Sequence, residues 1–328
     1  DLLKGSLPIK SISAKGQKVT ITTEEPYPEL KSELASPFAA IYDTKAKSKV
    51  TDKPVGTGPY QIDNYKRAQK LELTKFKDYW QGKPKLNKVN VTYHEDGNTR
   101  VDNLLSGKSD LTTDVPIDRI SDVKNSKKAN IQSTSGFRTH LLLYNHQSKK
   151  INKNVREAFD MVINRKEIAK NISKNYAKPA STPFNDRLKN VKNDKVQPQD
   201  IEKAKKLLAQ EGFSKSHPLK INMVTYDGRP ELPKIGQVIQ SEDKKANIDI
   251  QLRNVDDIDG YLKDPKAWDV SMYSYLTIPR GDTGYFFNTA YLPNGALNKG
   301  HYNKKEVTQL IKKLNTSYGE KQNESFTN

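Results

Sequence analysis

Apolar and polar positions follow one rhythm before residue 135 of this chain and another after residue 165, and the stretch between them carries the change. Leu141 to Tyr144 is an unbroken apolar run bounded by Gly136 and Asn145. Such a run reads as a short strand buried on both faces. Beyond it, Val155, Ala158, Phe159, Val162 and Ile163 recur at the i, i+3, i+4, i+7, i+8 spacing of one helical face, with Arg156, Glu157, Asp160 and Asn164 opposite. A buried strand handing over to an amphipathic helix is expected to mark the crossing between two lobes.

On the amino-terminal side the period is mostly two. Residues 9–23 alternate on either side of Ala-Lys-Gly-Gln, which predicts a hairpin, and residues 29–35 predict a helical turn. In Val55-Gly-Thr-Gly-Pro-Tyr-Gln-Ile the two glycines permit a tight turn, and Pro59 can open a strand because it needs no amide there. A phosphate-cradling loop would need a further glycine and a following helix. Residues 60–66 and 70–76 instead alternate as strands, with Trp80 expected to cap a core. Residues 85–115 read as strand, helix, strand, a βαβ-like unit stopped by Pro116.

Past the crossing, helical patterns at 155–163, 168–176, 200–211, 230–245 and 256–263 interleave with strand patterns at 219–225, 248–252 and 268–275. Strands alternating with helices at this spacing predict a largely parallel sheet covered by helices. Ligands of such sheets sit beyond the carboxyl ends of the strands. Tyr273, Tyr275, Arg280, Asp282, Tyr285, Phe286 and Asn288 crowd into the loop after the last strand. Aromatic walls with a few charges suit a polar small ligand, arginine forking a carboxylate and aspartate accepting from an ammonium. A core-capping loop in which Arg280 and Asp282 pair with each other fits the same residues, and both readings stay open.

Length and charge then narrow the classes. At 328 residues two domains are expected. The net charge of +17 points first to nucleic acid. Lysine is scattered through every segment, however, without an arginine-rich stripe, which is the pattern of a solvated basic surface. A basic adhesin or nucleic-acid binder is kept as the rival reading, with no nucleic-acid partner expected. The chain has no cysteine, so disulfides, thiolate metal sites and cysteine nucleophiles are all excluded. No apolar stretch reaches membrane-spanning length, and the start, Asp-Leu-Leu-Lys-Gly, has neither an initiator Met nor a leader, which suggests a processed or partial chain.

The five histidines, His94, His140, His146, His217 and His301, are dispersed, and none lies one helical turn from another. His140 is the one candidate metal contact, and no full protein-built metal site is read. There is no Gly-x-Ser-x-Gly elbow and no lysine in a phosphate loop. A binding protein, not an enzyme, and without a resident cofactor, is the expectation.

The motifs taken in order resemble a known family. Val55-Gly-Thr-Gly-Pro-Tyr is followed by Asp78-Tyr-Trp-Gln-Gly-Lys-Pro-Lys-Leu, Thr99-Arg-Val-Asp-Asn-Leu-Leu-Ser-Gly-Lys-Ser-Asp-Leu, and Leu143-Tyr-Asn with Val155-Arg-Glu-Ala-Phe-Asp-Met-Val-Ile-Asn-Arg. Ala204-Lys-Lys-Leu-Leu-Ala-Gln-Glu-Gly-Phe and Asn298-Lys-Gly-His-Tyr-Asn-Lys-Lys-Glu-Val look like later blocks. The ordered set is similar to the oligopeptide-, dipeptide- and nickel-chelate-binding proteins of ABC importers, solute-binding protein family 5.

That resemblance implies a two-lobe α/β Venus-flytrap fold, with mixed sheets covered by helices and ligand enclosed between the lobes. Family members are longer, so the chain would lack the front of the first lobe and the last strands that return to it. Residues 1–50 would be the remnant of the amino-terminal subdomain, 51–142 part of lobe I and 143–328 lobe II. The resemblance further implies a monomeric, extracytoplasmic lipoprotein, of Gram-positive type, that delivers a peptide or a nickel chelate such as nickel-histidine to a membrane permease. Arg138, His140, Tyr273, Tyr275, Arg280, Asp282, Tyr285 and Asn298 would be the ligand contacts. The peptide binders' aspartate position falls at Pro279 here, with Asp282 close by. The arginine that nickel binders often carry on the amino-terminal side would fall at residues 36–40, which are Ser-Pro-Phe-Ala-Ala.

Overall fold

The computed structural model describes residues 7–49, 51–185, 187–188, 195–279, 281 and 283–317. The chain forms two compact units. One holds Leu34–Thr134, and the other joins an amino-terminal hairpin to the chain from Ser135 onward. The divisions therefore fall at 33/34 and 134/135, where the sequence reading placed them at 50/51 and 142/143.

The hairpin is the expected one, β1 (Ile9–Lys15) antiparallel to β2 (Lys18–Thr23). Gly16 turns it at φ +58, a left-handed conformation that costs glycine little. A short helix, α1 (Leu30–Leu34), follows.

In the first unit, β3 (Tyr60–Lys66), β4 (Lys70–Lys75) and β5 (Lys88–Thr92) form an antiparallel sheet in the order β3-β4-β5. The sheet leads into α2 (Gly97–Leu105), capped by Asp96, whose carboxylate accepts from the Asn98 and Thr99 amides. The strand expected at 110–115 is not there. Asp114 adopts φ +52, which no strand accommodates, and its carbonyl accepts from the Arg100 guanidinium at 3.0 Å. After it comes α3 (Ile120–Asn125), and Arg119 joins α2 to α3 through Asp102 at 2.8 Å and Asp122 at 2.6 Å. Trp80 does not cap a core. It is 75% exposed, with its ring edge against Tyr79.

The second unit is built on β6 (Arg138–Tyr144), α4 (Lys153–Val162), α5 (Arg165–Asn171), α6 (Ile201–Gln210), β7 (Leu219–Tyr226), α7 (Glu231–Lys245), β8 (Ile248–Val255), α8 (Ile258–Tyr261), β9 (Val270–Leu276), α9 (Gly284–Ala290) and α10 (Lys305–Thr316). The helix expected at 168–176 ends early, because Lys174 and Asn175 both take positive φ. The four strands lie in the order β6-β9-β7-β8. β7 runs parallel to β8 and β9, while β6 runs antiparallel to β9. The apolar run at Leu141 therefore occupies an edge and is only half-buried. The strand buried on both faces is its neighbour β9, from Val270 to Tyr275.

Alternation along β9 sends residues to two cores. Val270 and Met272 join Val155, Phe159, Leu208, Leu232 and Ile239 under α4, α6 and α7. On the other face Tyr273 and Tyr275 pack with Trp268, Ile258, Phe184 and Phe286. Gly236 lets α7 settle on the sheet, since a side chain there would meet the Met272 sulfur at 3.2 Å. At the amino end of β9, Asp269 is gripped by the Lys150 ammonium at 3.0 Å, the Ser148 hydroxyl at 2.6 Å and the Asn222 amide at 2.8 Å.

Candidate functional site

The winding of the second unit leaves an opening at one end. From β7 the chain crosses through α7 to β8 on one side, while β9, on the other side of β7, is reached through α8. Adjacent parallel strands whose connections leave in opposite directions part at their carboxyl ends, and ligands of such sheets lie outside that point. The ladder between β7 and β9 covers only Met223 with Val270 and Val224 with Ser271, although both strands continue to Tyr226 and Leu276. The residues that gather there are Arg138 and His140 from β6, Ser274 from β9, Tyr226 and Arg229 from the end of β7, and Glu231 from the first turn of α7.

Strand register explains the gathering. His140 lies directly opposite Ser274 in the β6-β9 ladder, and Arg138 lies opposite Leu276, one diagonal away on the same face. The His140 Nδ1 is 3.0 Å from the Ser274 hydroxyl, and its Nε2 is 2.8 Å from Glu231 Oε1. Arg138 Nη1 donates to the Ser274 hydroxyl at 3.2 Å and to the Ser274 carbonyl at 3.3 Å. The His140 bond, ahead of any other influence, holds the Glu231 carboxyl below its usual range, and Arg229 pulls the same way. Burial raises the Tyr226 phenol, while the Ser274 backbone, Arg229 and Arg138 draw it back.

The other expected ligand contacts are placed elsewhere or carry bonds of their own. Tyr273 and Tyr275 sit on the opposite face of β9, ring centroids 4.7 Å apart, with Tyr226 5.7 Å from Tyr273. The Tyr273 hydroxyl donates to Asp259 at 2.8 Å, and the Tyr275 hydroxyl donates to the Leu297 carbonyl at 2.6 Å. Burial raises both phenols first of all. Tyr285 is half-buried on α9. Asn298 is engaged on both ends of its amide, donating to the Leu292 and Tyr302 carbonyls and accepting from the Tyr302 amide. Arg280 and Asp282 lie outside the described residues.

Sequence reasoning singled out Arg138 and His140 but passed over Tyr226, Arg229, Glu231 and Ser274. The rule that ligands lie beyond the carboxyl ends of strands holds for β7 as it does for β9. Applied to β7, it leads straight to Tyr226 and the segment that enters α7. Chemically, two arginines beside a phenol suit an anionic group, and Arg forks a carboxylate in particular. Among the described residues there is no group of three or more His, Asp or Glu side chains that could hold a metal ion.

The comparisons with known proteins agree with this architecture. The profile of the bacterial extracellular solute-binding proteins, family 5 (middle), matches residues 4–298. The nickel-binding protein NikA of Staphylococcus aureus is 59% identical over 328 residues, which make up 100% of this chain and 67% of that protein. The dipeptide-binding protein DppE of Bacillus subtilis is 28% identical over 283 residues, 83% of this chain and 51% of its own length. Among solved structures, S. aureus NikA in complex with Ni(L-His)2 superposes with a TM-score of 0.85 at 58% identity, covering 99% of this chain and 70% of that one. The nickel ABC transporter structure from Bacillus halodurans follows with a TM-score of 0.79 at 32% identity, over 99% of this chain and 71% of its own. By sequence and by its α/β architecture, with a mixed sheet and covering helices in the second unit, the chain belongs to the bacterial extracellular solute-binding proteins of family 5.

Proposed function

We propose that this protein is the capture component of an ABC importer for nickel chelated by histidine, held outside the membrane as a lipoprotein and handing its cargo to a membrane permease. The observation that carries this reading is the 59% identity, along the whole chain, to a nickel-binding protein whose structure contains Ni(L-His)2. The residues at the carboxyl edge of the second unit fit such a cargo. A chelate brings its own metal ligands, so the protein needs groups for the chelator's carboxylates and ring faces. Arg138 serves a carboxylate, with Tyr226 and Arg229 beside it, while His140, whose two ring nitrogens bond Ser274 and Glu231, orders its surroundings. From the following segment, Arg280, Asp282, Tyr285 and Asn298 are proposed as further contacts. In this reading the protein works as a monomer, carries no catalytic residues and takes nickel as cargo.

Oligopeptide capture is the second reading, favoured by the B. subtilis dipeptide-binding relative. Native mass spectrometry of the purified protein with elemental analysis for nickel separates the two. Nickel with the mass of histidine supports the chelate; a spread of short-peptide masses without metal replaces it with the peptide reading. Calorimetric titration with nickel in excess L-histidine covers a protein that arrives empty, and no heat of binding would remove the chelate.

A further inference from the structure

The contacts around His140 form one continuous chain of hydrogen bonds from a strand edge to a helix start. Its direction follows from the two charged ends. A carboxylate can only accept, so Glu231 takes the proton on His140 Nε2. In the neutral tautomer with its proton on Nε2, Nδ1 is an acceptor, and the Ser274 hydroxyl at 3.0 Å fills it by donating. With its proton committed, the hydroxyl has lone pairs to offer, and Arg138 Nη1 donates into one of them. In that tautomer every bond points the same way, from the guanidinium through serine and imidazole to the carboxylate.

Each member is fixed by its own element. Glu231 stands at the start of the 15-residue α7, where the helix dipole favours a negative charge. The His140 and Glu231 side chains keep about a quarter of their surface, at 24% and 23%, and Ser274 is 7% exposed. Bonds so shielded polarise one another more than surface bonds do. Arg138 is the exposed end.

We propose that Glu231 is a positioning residue that acts through His140 and Ser274 to aim the Arg138 guanidinium at an anionic group of the ligand. The proposal rests on Arg138 serving the ligand, as in the proposed function, but adds residues with no direct contact to the cargo. Glu231 orients the imidazole by accepting from Nε2, the imidazole orients the hydroxyl, and the hydroxyl holds Nη1. Arg138 then meets the ligand already ordered, which saves part of the entropy otherwise lost on binding.

A double-mutant cycle tests this with nickel in excess L-histidine as the probe. Glu231→Ala is expected to weaken binding about fivefold or more in the wild-type background and less than about twofold once Arg138→Ala is present. An equal loss in both backgrounds, or none in either, would overturn the relay. A second measurement needs no ligand. The ¹⁵N NMR signals of His140 should show a neutral ring with its proton on Nε2, and the Arg138 Nε–H should become more mobile in Glu231→Ala and in Ser274→Ala. A proton on Nδ1, or unchanged Arg138 mobility, would sink the proposal. Failure of nickel-histidine to bind the wild type would count against the proposed cargo alone, leaving the NMR result to decide the relay.

Discussion

The Asn145 side-chain amide donates to the Trp268 carbonyl at 2.9 Å and so ties the end of β6 to the turn that enters β9. Asn145 is fully buried, donates as well to the Pro265 carbonyl at 2.7 Å, and accepts from the Gln147 amide at 3.0 Å. Its own amide donates to the Asp269 carbonyl at 3.0 Å. Asn145→Ala strands the buried Trp268 carbonyl and the partly buried Pro265 carbonyl and Gln147 amide, each costing up to about 1–3 kcal/mol where water does not replace the bond. The expected loss is about 2–4 kcal/mol in urea unfolding followed by Trp268 fluorescence. A loss below about 0.5 kcal/mol would show that water enters freely there.

Phe159 is fully buried on α4, with its ring edge-on to Tyr144 at 6.1 Å. It is the aromatic centre of the core beneath α4, α6 and α7. Phe159→Ala is expected to cost about 3–5 kcal/mol, while Phe159→Leu should cost clearly less because most of the volume is kept. Equal losses for the two variants would show that shape, not filled volume, decides the packing there.

The secondary-structure elements and the site were legible in the sequence to different degrees. Alternation and helical spacing revealed β7, α7, β8 and β9 nearly residue for residue, because each is a local pattern. Burial was misassigned for β6, since Leu141 to Tyr144 is as apolar as a central strand yet lies at an edge. No local pattern distinguishes those positions. Glu231 looks like any acid at a helix start, and Ser274 like an interruption in an apolar strand. They became site residues only through contacts across 91 and 134 positions of sequence to His140. Arg138 was visible through the family resemblance, and His140 as the one candidate metal contact among dispersed histidines.

Asp243 is buried at the end of α7, and both of its carboxylate oxygens lack a hydrogen-bond partner among the described residues. Burial first, and Glu242 second, hold its carboxyl well above the usual range. The folded protein keeps this proton where the unfolded chain, with a carboxyl near about 3.9, has released it. Stability from this group is therefore complete below about pH 4 and is lost as pH rises toward the folded value. Asp243→Asn removes the titration, so the variant should gain on the wild type progressively as pH rises above about 4. Urea unfolding at several pH values measures the difference, and a difference that stays constant would mean that Asp243 is ionised or paired.

Arg138 offers the sharpest test of the ligand site because its loss should separate binding from folding. It stands at the first position of an edge strand, exposed, and its bonds to Ser274 are made at the rim. Charged groups so placed add little to stability. Toward a carboxylate, however, a guanidinium makes charge-assisted bonds of about 1.5–3 kcal/mol, or roughly 10- to 100-fold in affinity. Arg138→Ala should therefore lower affinity for nickel in excess L-histidine by that factor, with a thermal midpoint within about 2 °C of the wild type. Arg138→Lys keeps the charge without the fork and should fall between the two. If Arg138→Ala bound as tightly as the wild type, Arg138 would be removed from the site and the relay that aims it would have no purpose.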